Sequence, residues 1–222
     1  MAASFRLLAH RGLRSAGAEN SLRSVVAAFG PSDGAEVDVI VDAEGVALLR
    51  HDERLPDGTP VRALRLEELR SRLGANVNDV PRLRDVFDAL DGREGTLNLE
   101  LKVPGAARAV AAVRPLPRGV VFTSFYASEV MEARACFPGV PSGLLATRVP
   151  RFVPPGVACL SVQHRALAPV REAYPAAALW AWTVDDAEAL ARARAARCDV
   201  VISDDPSALR RKAVSSPTPF EA

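Results

Sequence analysis

Short apolar runs alternate with segments of helical periodicity along almost the whole sequence. Runs of this length, rich in Val, Leu and Ile and bounded by turn residues, are typical of buried β-strands. The intervening segments place apolar residues three or four positions apart, which is typical of amphipathic helices. The predicted strands are residues 5–9, 36–41, 46–50, 96–101, 120–124, 143–146, 158–162, 179–184 and 200–203. The predicted helices are residues 21–29, 66–73, 83–90, 106–113, 128–136, 167–174, 187–198 and 207–212.

Continuous apolar strands separated by helices indicate an α/β protein with a parallel sheet, because a parallel crossover needs a helix-length connection. An open doubly wound sheet and a closed TIM-type (β/α)8 barrel both satisfy this pattern. The number of units and the polar residues at the carboxyl ends of strands favour the barrel, where active sites are assembled at those ends. We expect one barrel domain over residues 1–213 and a flexible tail over residues 214–222.

Composition and charge argue against a nucleic-acid-binding or a membrane-spanning protein. The chain has 222 residues, 49% hydrophobic and 25% charged, which is enough apolar material for one buried core. A formal net charge of +1 provides no broad basic field for a nucleic-acid partner. No segment stays apolar for the ~20 residues of a membrane span, and the amino terminus lacks a signal-peptide apolar region. The separated cysteines Cys136, Cys159 and Cys198 indicate buried free thiols, and a cytoplasmic location is expected.

Carboxylates occur at alternate positions of two predicted strands. Glu36 and Asp38 share one face of the first, and Glu100 and Lys102 share one face of the second. Buried like charges need a cation, and oxygen ligands suit Mg²⁺ or Ca²⁺ better than zinc. The alternatives are solvated acids at a strand edge for the first pair and an internal ion pair for the second.

Two histidines stand at strand ends, His10 and His51. Two imidazoles can divide general acid and base duties, although each can also simply end its strand with a backbone hydrogen bond. Arg11 offers a guanidinium that matches a phosphate. Because alternation points adjacent residues to opposite faces, His10 and Arg11 can serve one site only if the strand ends or bulges there.

Glu19, Asn20 and Trp182 are further candidates for supporting or lining the site. Glu19 and Asn20 precede a helix, where Asn20 or Ser21 is expected to accept backbone N–H bonds as a cap. Trp180 and Trp182 share a strand face, which predicts one in the barrel core and one in a pocket wall.

Read in order, these motifs resemble the glycerophosphodiester phosphodiesterase family. The segments that carry the resemblance are His10-Arg11-Gly12, Glu19-Asn20, Glu36-Val37-Asp38, His51-Asp52, Glu100-Leu101-Lys102, Trp182-Thr183-Val184 and Ser203-Asp204-Asp205-Pro206. Single tripeptides are weak signals, but their order and their places at strand ends make the set specific. The sequence departs from the family pattern at Ala18 and Ser203, and in a shortened cap insertion after His51-Asp52.

The resemblance implies a metal-dependent hydrolase that converts glycerophosphodiesters to an alcohol and glycerol 3-phosphate. It implies His10 and His51 as acid and base, Arg11 and Lys102 as phosphate ligands, and one Mg²⁺ or Ca²⁺ held by Glu36, Asp38 and Glu100. It also implies support from Glu19. The attacking oxygen is water or the substrate's own glycerol hydroxyl. The alternative activities are phospholipase D-like or lyase cleavage of lysophospholipids, which an exposed apolar rim would favour, and non-catalytic phosphodiester binding. The sequence itself identifies no such rim, and it predicts no oligomeric state.

Overall fold

The computed structural model describes residues 5–76 and 79–215. Its strands are β1 (Arg6–His10), β2 (Gly34–Val41), β3 (Ala47–Leu49), β4 (Thr96–Leu101), β5 (Val120–Ser124), β6 (Ser142–Ala146), β7 (Cys159–Gln163), β8 (Leu179–Trp182) and β9 (Val200–Ser203). Its helices are α1 (Leu22–Ala28), α2 (Leu66–Leu73), α3 (Leu83–Ala89), α4 (Ala106–Ala111), α5 (Ala127–Cys136), α6 (Leu167–Ala173), α7 (Ala187–Ala195) and α8 (Pro206–Ser215). Short 3₁₀ turns lie at Val61–Ala63 and His164–Ala166.

Eight of these strands are parallel and close into a TIM-type barrel, which confirms the predicted fold. Strand β1 pairs with β9 on one side and with β2 on the other, and these pairings close the sheet. Closure brings the carboxyl ends of β1, β2, β4, β8 and β9 around a common mouth. The predicted open-sheet alternative is therefore excluded.

Strand β3 is an exception to the alternating pattern. It pairs antiparallel with β2, with Val39 opposite Leu49, and it lies outside the closed barrel. Only residues 42–46 separate the two strands, and Gly45 has a φ of 79° in this turn. So short a connection folds back as a hairpin, because a parallel crossover needs a dozen or more residues.

Two of the helices begin at residues whose side chains cap them. Ser21 accepts a hydrogen bond from the Ser24 N–H and starts α1, and Asp186 does the same for α7 through the Ala189 N–H. The connection between β6 and β7, residues 147–158, carries no helix, unlike the neighbouring connections. Helix α8 runs to Ser215, slightly beyond the start of the predicted tail, and residues 216–222 of that tail lie outside the described residues.

Apolar side chains fill the space on both sides of the barrel wall. The outer layers lie between strands and helices, and a smaller inner cluster includes Leu8, Val121, Trp180 and Ile202. Trp180 is therefore barrel core, as predicted for one of the two tryptophans. Cys159 and Cys198 are buried, Cys136 is half-buried, and all are free thiols. Across residues 5–76 and 79–215, no helix has the length and apolar character needed to cross a membrane.

Candidate active site

Most of the predicted site residues converge at the carboxyl-terminal mouth of the barrel. They line a cavity of about 150 Å³ whose walls include His10, Arg11, Glu36, His51, Glu100, Lys102 and Trp182. Asp38 is buried next to this cavity, Asn20 hydrogen-bonds to Asp38, and Glu19 hydrogen-bonds to the lining residue Arg11. Strand alternation explains the convergence, since Glu36, Asp38 and Glu100 all point to the inner face of the barrel.

Glu36, Asp38 and Glu100 form the acidic centre of the cavity. One carboxylate oxygen from each lies within 4.8 Å of the others. Burial, together with the charges of Asp38 and Glu100, raises the pKa of Glu36 well above its ordinary value. Burial and the charge of Asp38 likewise raise the pKa of Glu100. The buried Oε1 of Glu36 has no hydrogen-bond partner among the described residues, so this hard-oxygen set fits a divalent cation.

Two cationic side chains lie against the carboxylates. Lys102 Nζ is 3.3 Å from Asp38 Oδ1 and 3.1 Å from Glu100 Oε1. Arg11 Nε is 3.2 Å from Asp38 Oδ2, an ion-pair distance without hydrogen-bond alignment. Burial alone would lower the pKa of Lys102, but Glu100 and Asp38 outweigh burial and raise it. Lys102 is thus a permanent positive charge on the cavity wall.

Asn20 fixes Asp38 through a reciprocal pair of hydrogen bonds. Its Nδ2 donates to Asp38 Oδ2 at 2.8 Å, and the Asp38 backbone N–H donates to its Oδ1 at 2.9 Å. Asn20 is buried and has a φ of 58°, a left-handed conformation that asparagine tolerates. The cap of α1 is therefore Ser21, and Asn20 instead orients a carboxylate of the acidic centre.

The end of β1 allows His10 and Arg11 to face the same cavity. Strand β1 stops at His10, and Arg11 has a φ of 57°, so the strict alternation of strand faces is broken at this point. The Arg11 backbone N–H donates to Glu36 Oε2 at 3.1 Å. The Arg11 guanidinium Nη1 donates to Glu19 Oε2 at 3.0 Å.

His10 is held by a carboxylate that follows β9. Its Nδ1 lies 2.6 Å from Asp204 Oδ1, and its Nε2 lies 3.9 Å from Glu36 Oε2. The hydrogen bond with His10 lowers the pKa of Asp204 against the opposing effect of burial. Asp185 in turn accepts hydrogen bonds from the Ser203 hydroxyl and the Asp204 N–H, both at 2.8 Å. Nδ1 is thereby engaged and Nε2 faces the acidic centre.

His51, which also lines the cavity, has a similar arrangement. Its Nδ1 lies 2.8 Å from Asp52 Oδ1, and this hydrogen bond lowers the pKa of Asp52. Arg50 Nε donates to the Asp52 carbonyl at 3.0 Å and steadies the turn. Nδ1 of each histidine therefore forms a hydrogen bond with an aspartate, and Nε2 is the ring nitrogen that can exchange a proton with a bound molecule.

An apolar wall completes the cavity. Trp182, Phe125, Leu145 and Ile202 line it, and the rings of Trp182 and Phe125 meet edge to face with centroids 5.7 Å apart. Trp182 is the pocket-wall member of the predicted pair. Its buried Nε1 has no hydrogen-bond partner within residues 5–76 and 79–215, so it presents a donor that a bound molecule can satisfy.

Sequence reasoning missed several residues that build the site. Asp204 and Asp52 belong to motifs of the resemblance, but the sequence predicts no role for either. Asp52 is next to His51 in sequence, and Asp204 is next to His10 only in space. Asn98 lines the cavity, and its Oδ1 accepts from Thr123 at 3.0 Å. Alternation signals Asn98, because it shares a face of β4 with Glu100. Phe125 follows β5 directly, and no sequence signal separated it from ordinary core.

The solved structures similar to this chain extend over nearly its whole length. A glycerophosphodiester phosphodiesterase from Thermotoga maritima is 23% identical, with a TM-score of 0.77, 94% of this chain covered and 98% of that one. A phosphodiesterase from Oleispira antarctica, solved in complex with the product sn-glycerol-3-phosphate, is 23% identical with a TM-score of 0.80, covering 95% and 97% of the two chains. A glycerophosphodiester phosphodiesterase from Parabacteroides distasonis is 21% identical with a TM-score of 0.81, covering 95% and 97%. At these identities the likeness shows the same fold.

The chain was also compared with curated proteins and with models of protein families. No curated protein matches the chain significantly. The model of the glycerophosphoryl diester phosphodiesterase family matches residues 10–115. That stretch begins at His10 and includes both histidines, the acidic centre and Lys102. Because the matched residues are the ones that converge at the mouth of the barrel, residues 10–115 belong to the glycerophosphoryl diester phosphodiesterase family, and the protein is a hydrolase of phosphoric diesters.

Proposed function

We propose that this protein is a metal-dependent phosphodiesterase that hydrolyses glycerophosphodiesters to an alcohol and glycerol 3-phosphate. One observation carries the proposal: the carboxylates of buried Glu36 and Asp38 and of half-buried Glu100 converge within 4.8 Å at a cavity that is also lined by His10 and His51. Solvated acids do not fit the burial of Glu36 and Asp38. An internal ion pair alone does not account for the convergence either, because Lys102 contacts Asp38 and Glu100 but not Glu36. A binding protein would need neither histidine.

Glu36, Asp38 and Glu100 are the residues that would hold one Mg²⁺ or Ca²⁺. A bound divalent cation would neutralise charge on the phosphoryl oxygens and favour ionisation of the attacking oxygen. The raised pKa of Glu36 supports this assignment, since burial and the neighbouring carboxylates outweigh the hydrogen bond and charge that Arg11 supplies. Asn20 keeps Asp38 in one orientation, which is the usual function of a partner behind a metal ligand.

Arg11 and Lys102 would bind the phosphate. Both line the cavity, and both carry a positive charge adjacent to the acidic centre. In the cation-free protein their charges offset the buried carboxylates. The guanidinium is also anchored by Glu19, so it is oriented before a substrate arrives.

His10 and His51 would transfer the protons. One Nε2 takes the proton from the attacking oxygen, and the other gives a proton to the departing alkoxide. Asp204 and Asp52 accept from Nδ1 and hold each ring in the orientation and tautomer that this exchange needs. The attacking oxygen is water or the substrate's own glycerol hydroxyl, and the second route gives a cyclic phosphate first.

The glycerol phosphate half of the substrate is supported by the similarity to the Oleispira antarctica phosphodiesterase, which binds sn-glycerol-3-phosphate. The small cavity and the near-zero net charge favour a small-molecule diester over nucleic acid. The cytoplasmic location and the shortened cap insertion after His51-Asp52 stay predictions from the sequence.

The test is product analysis by phosphorus NMR with purified protein and glycerophosphocholine or glycerophosphoethanolamine. We expect glycerol 3-phosphate with Mg²⁺ or Ca²⁺ and none with excess chelator. The His10→Ala variant is expected to lose about 10²–10⁴-fold in kcat. A transient cyclic phosphate would identify the glycerol hydroxyl as the attacking group.

The control is His164→Ala. This third histidine accepts from Arg192 Nε at 3.2 Å and is not among the residues that line the cavity. Its replacement is expected to leave kcat within about twofold of wild type, because surface substitutions of this kind have small effects. Folded wild-type protein that releases no product with either cation would contradict the proposal.

A further inference from the structure

The turn that follows β1 carries an arginine that contacts two of the carboxylates supporting the active site. Arg14 Nη2 lies 3.2 Å from Asp204 Oδ1 and 3.4 Å from Glu19 Oε2. Arg14 is not among the residues that line the catalytic cavity. Its contacts are therefore with the residues that hold the catalytic side chains, and not with the cavity itself.

These contacts close a ring of side chains around the turn. Asp204 Oδ1 lies 2.6 Å from His10 Nδ1, and Glu19 Oε2 accepts from Arg11 Nη1 at 3.0 Å. His10 and Arg11 are neighbours in the chain, and Arg14 joins the two carboxylates on the other side of the ring. The ring thus connects a proposed proton-transfer residue with a proposed phosphate ligand.

Burial alone does not hold the two carboxylates in place. The side chain of Asp204 is 35% exposed, and those of Glu19 and Arg14 are 42% exposed. The Asp204 carboxylate pairs with His10 and Arg14, and the Glu19 carboxylate pairs with Arg11 and Arg14. Removal of Arg14 takes a partner from each carboxylate and leaves it freer to turn toward water.

The turn that carries Arg14 is itself fixed against α1. The Leu13 N–H donates to the Ser24 carbonyl at 2.8 Å, and the Ala16 N–H donates to the Leu13 carbonyl at 2.9 Å. Leu13 also packs against the apolar layer outside the barrel. Because the backbone on both sides of Arg14 is ordered, less entropy is lost when its side chain is held in one place.

Charge supports the same arrangement. The hydrogen bond with His10 is the largest cause of the lowered pKa of Asp204, and the charges of His10, Arg14 and Arg11 add to it against the opposing effect of burial. Asp204 is therefore an ionised carboxylate whose Oδ1 contacts both His10 and Arg14. The second contact fixes where Oδ1 lies relative to the imidazole ring.

We propose that Arg14 is a positioning residue for the proposed hydrolysis. Through Asp204 it orients the ring of His10. Through Glu19 it orients the guanidinium of Arg11. The inference rests on the proposed function, and it adds a residue outside the cavity on which both proton transfer and phosphate binding depend.

The test compares Arg14→Met and Arg14→Lys with wild type on glycerophosphocholine, with Mg²⁺ or Ca²⁺ present. Methionine keeps an unbranched side chain without the charge, and lysine restores the charge. For Arg14→Met, we expect kcat to fall by about threefold through His10 and KM to rise by about threefold through Arg11, as exposed ion pairs allow. Arg14→Lys is expected to return both values to within about twofold of wild type.

Arg65→Met is the matched control. Arg65 is exposed, its Nε lies 3.3 Å from Glu44 Oε1, and it does not line the cavity. Its replacement should change neither kcat nor KM. The Tm of Arg14→Met and of Arg65→Met should stay close to that of wild type, since exposed ion pairs contribute little to stability.

Double-mutant cycles separate positioning from a direct contact between Arg14 and the substrate. In an Asp204→Ala background, Arg14→Met is expected to cause no further loss of kcat. In a Glu19→Ala background, it is expected to cause no further rise in KM. Undiminished effects in both backgrounds would show that Arg14 acts independently of the two carboxylates, and they would overturn the inference.

Two other outcomes also overturn the inference, and they differ in what they leave standing. Equal kcat and KM for Arg14→Met and wild type remove the inference and leave the proposed function intact. Folded wild-type protein that releases no product with either cation removes the proposed function together with the inference.

Discussion

The Nδ1 atom of His10, at the end of β1, lies 2.6 Å from Oδ1 of Asp204, which follows β9. The two residues are 194 positions apart in sequence, and only the pairing of β1 with β9 brings them together. Because an aspartate on Nδ1 accepts but never donates, it keeps the Nδ1 proton on the ring and leaves Nε2 free to take a proton. Asp204, after the last strand of the barrel, therefore determines which nitrogen of His10, on the first strand, carries the proton.

Asp204→Asn is expected to lower kcat by about 100-fold or more, with a smaller change in KM. The amide can donate to Nδ1 and favour the wrong tautomer of His10, which removes an acid–base catalyst worth about 10²–10⁴-fold. Steady-state kinetics on glycerophosphocholine measure the change.

Asp205→Asn is the control for that substitution. Asp205 accepts from the Ala208 N–H at the start of α8, and asparagine caps a helix about equally well. Its kcat should stay near that of wild type. Equal losses in the two variants would show that the effect is structural and not specific to His10.

The raised pKa of Glu36 predicts how the cation-free protein responds to pH. A carboxyl whose folded pKa is raised favours the folded state while it is protonated, and this stabilisation is lost as pH rises from about 4.5 through the raised value. In chelator at pH 8, Glu36→Gln is therefore expected to melt a few °C above wild type. Near pH 4.5 the difference should disappear. Calorimetry across this pH range measures it.

The control for this experiment is Glu44→Gln, which removes an exposed carboxylate paired with Arg65. Exposed pairs contribute little, so its Tm should follow wild type at every pH. Addition of Ca²⁺ should stabilise wild type and not Glu36→Gln. A Glu36→Gln variant that melts below wild type in chelator at pH 8 would contradict the account of the acidic centre.

Asn20→Gly separates the side-chain amide from the backbone conformation. Glycine adopts the φ of 58° without strain, so the variant loses only the two hydrogen bonds to Asp38. We expect cation affinity to fall by about 10–100-fold, as when other partners behind a metal ligand are removed. Isothermal titration with Ca²⁺ measures it. Ser21→Ala, which removes the neighbouring helix cap, should lower Tm while leaving affinity unchanged.

Gly12→Ala tests the close packing of the turn after β1. A Cβ at Gly12 would meet Ser24 Oγ at 2.6 Å and Val25 N at 2.8 Å, in addition to the strain of a φ of 84°. Gly45→Ala has a similar φ of 79° but meets nothing within 4 Å. Both variants should lose stability to backbone strain, by about 1–2 kcal/mol. A clearly larger loss of Tm is expected for Gly12→Ala alone, and equal losses would show that the contact with α1 is unimportant.

The barrel and the acidic centre could be predicted because both follow from local patterns. The period-two alternation of Glu36 and Asp38, and of Glu100 and Lys102, places these side chains on the inner face of any parallel barrel. Strand spans could be predicted for the same reason. The exception is β3, since its apolar composition matches a barrel strand while the short turn before it makes a hairpin.

The missed features depend on contacts between distant segments. Asp204 reaches His10 only after the barrel closes. Asn20 reaches Asp38 because Asn20 adopts a left-handed conformation, whereas the sequence predicted Asn20 or Ser21 as a helix cap. The exposure of Phe125 and Phe152 could not be predicted either, because exposed phenylalanines look like core residues in a sequence.

The most direct test of the central claim is the rate of glycerol 3-phosphate release as a function of free Ca²⁺ or Mg²⁺, compared with cation binding by calorimetry. At saturating substrate, and after correction for substrate coupling, we expect the cation concentration that gives the half-maximal rate to equal the calorimetric Kd. We expect the Asp38→Asn variant to lose both cation binding and product release. Undiminished release by fully chelated wild-type protein would contradict the account.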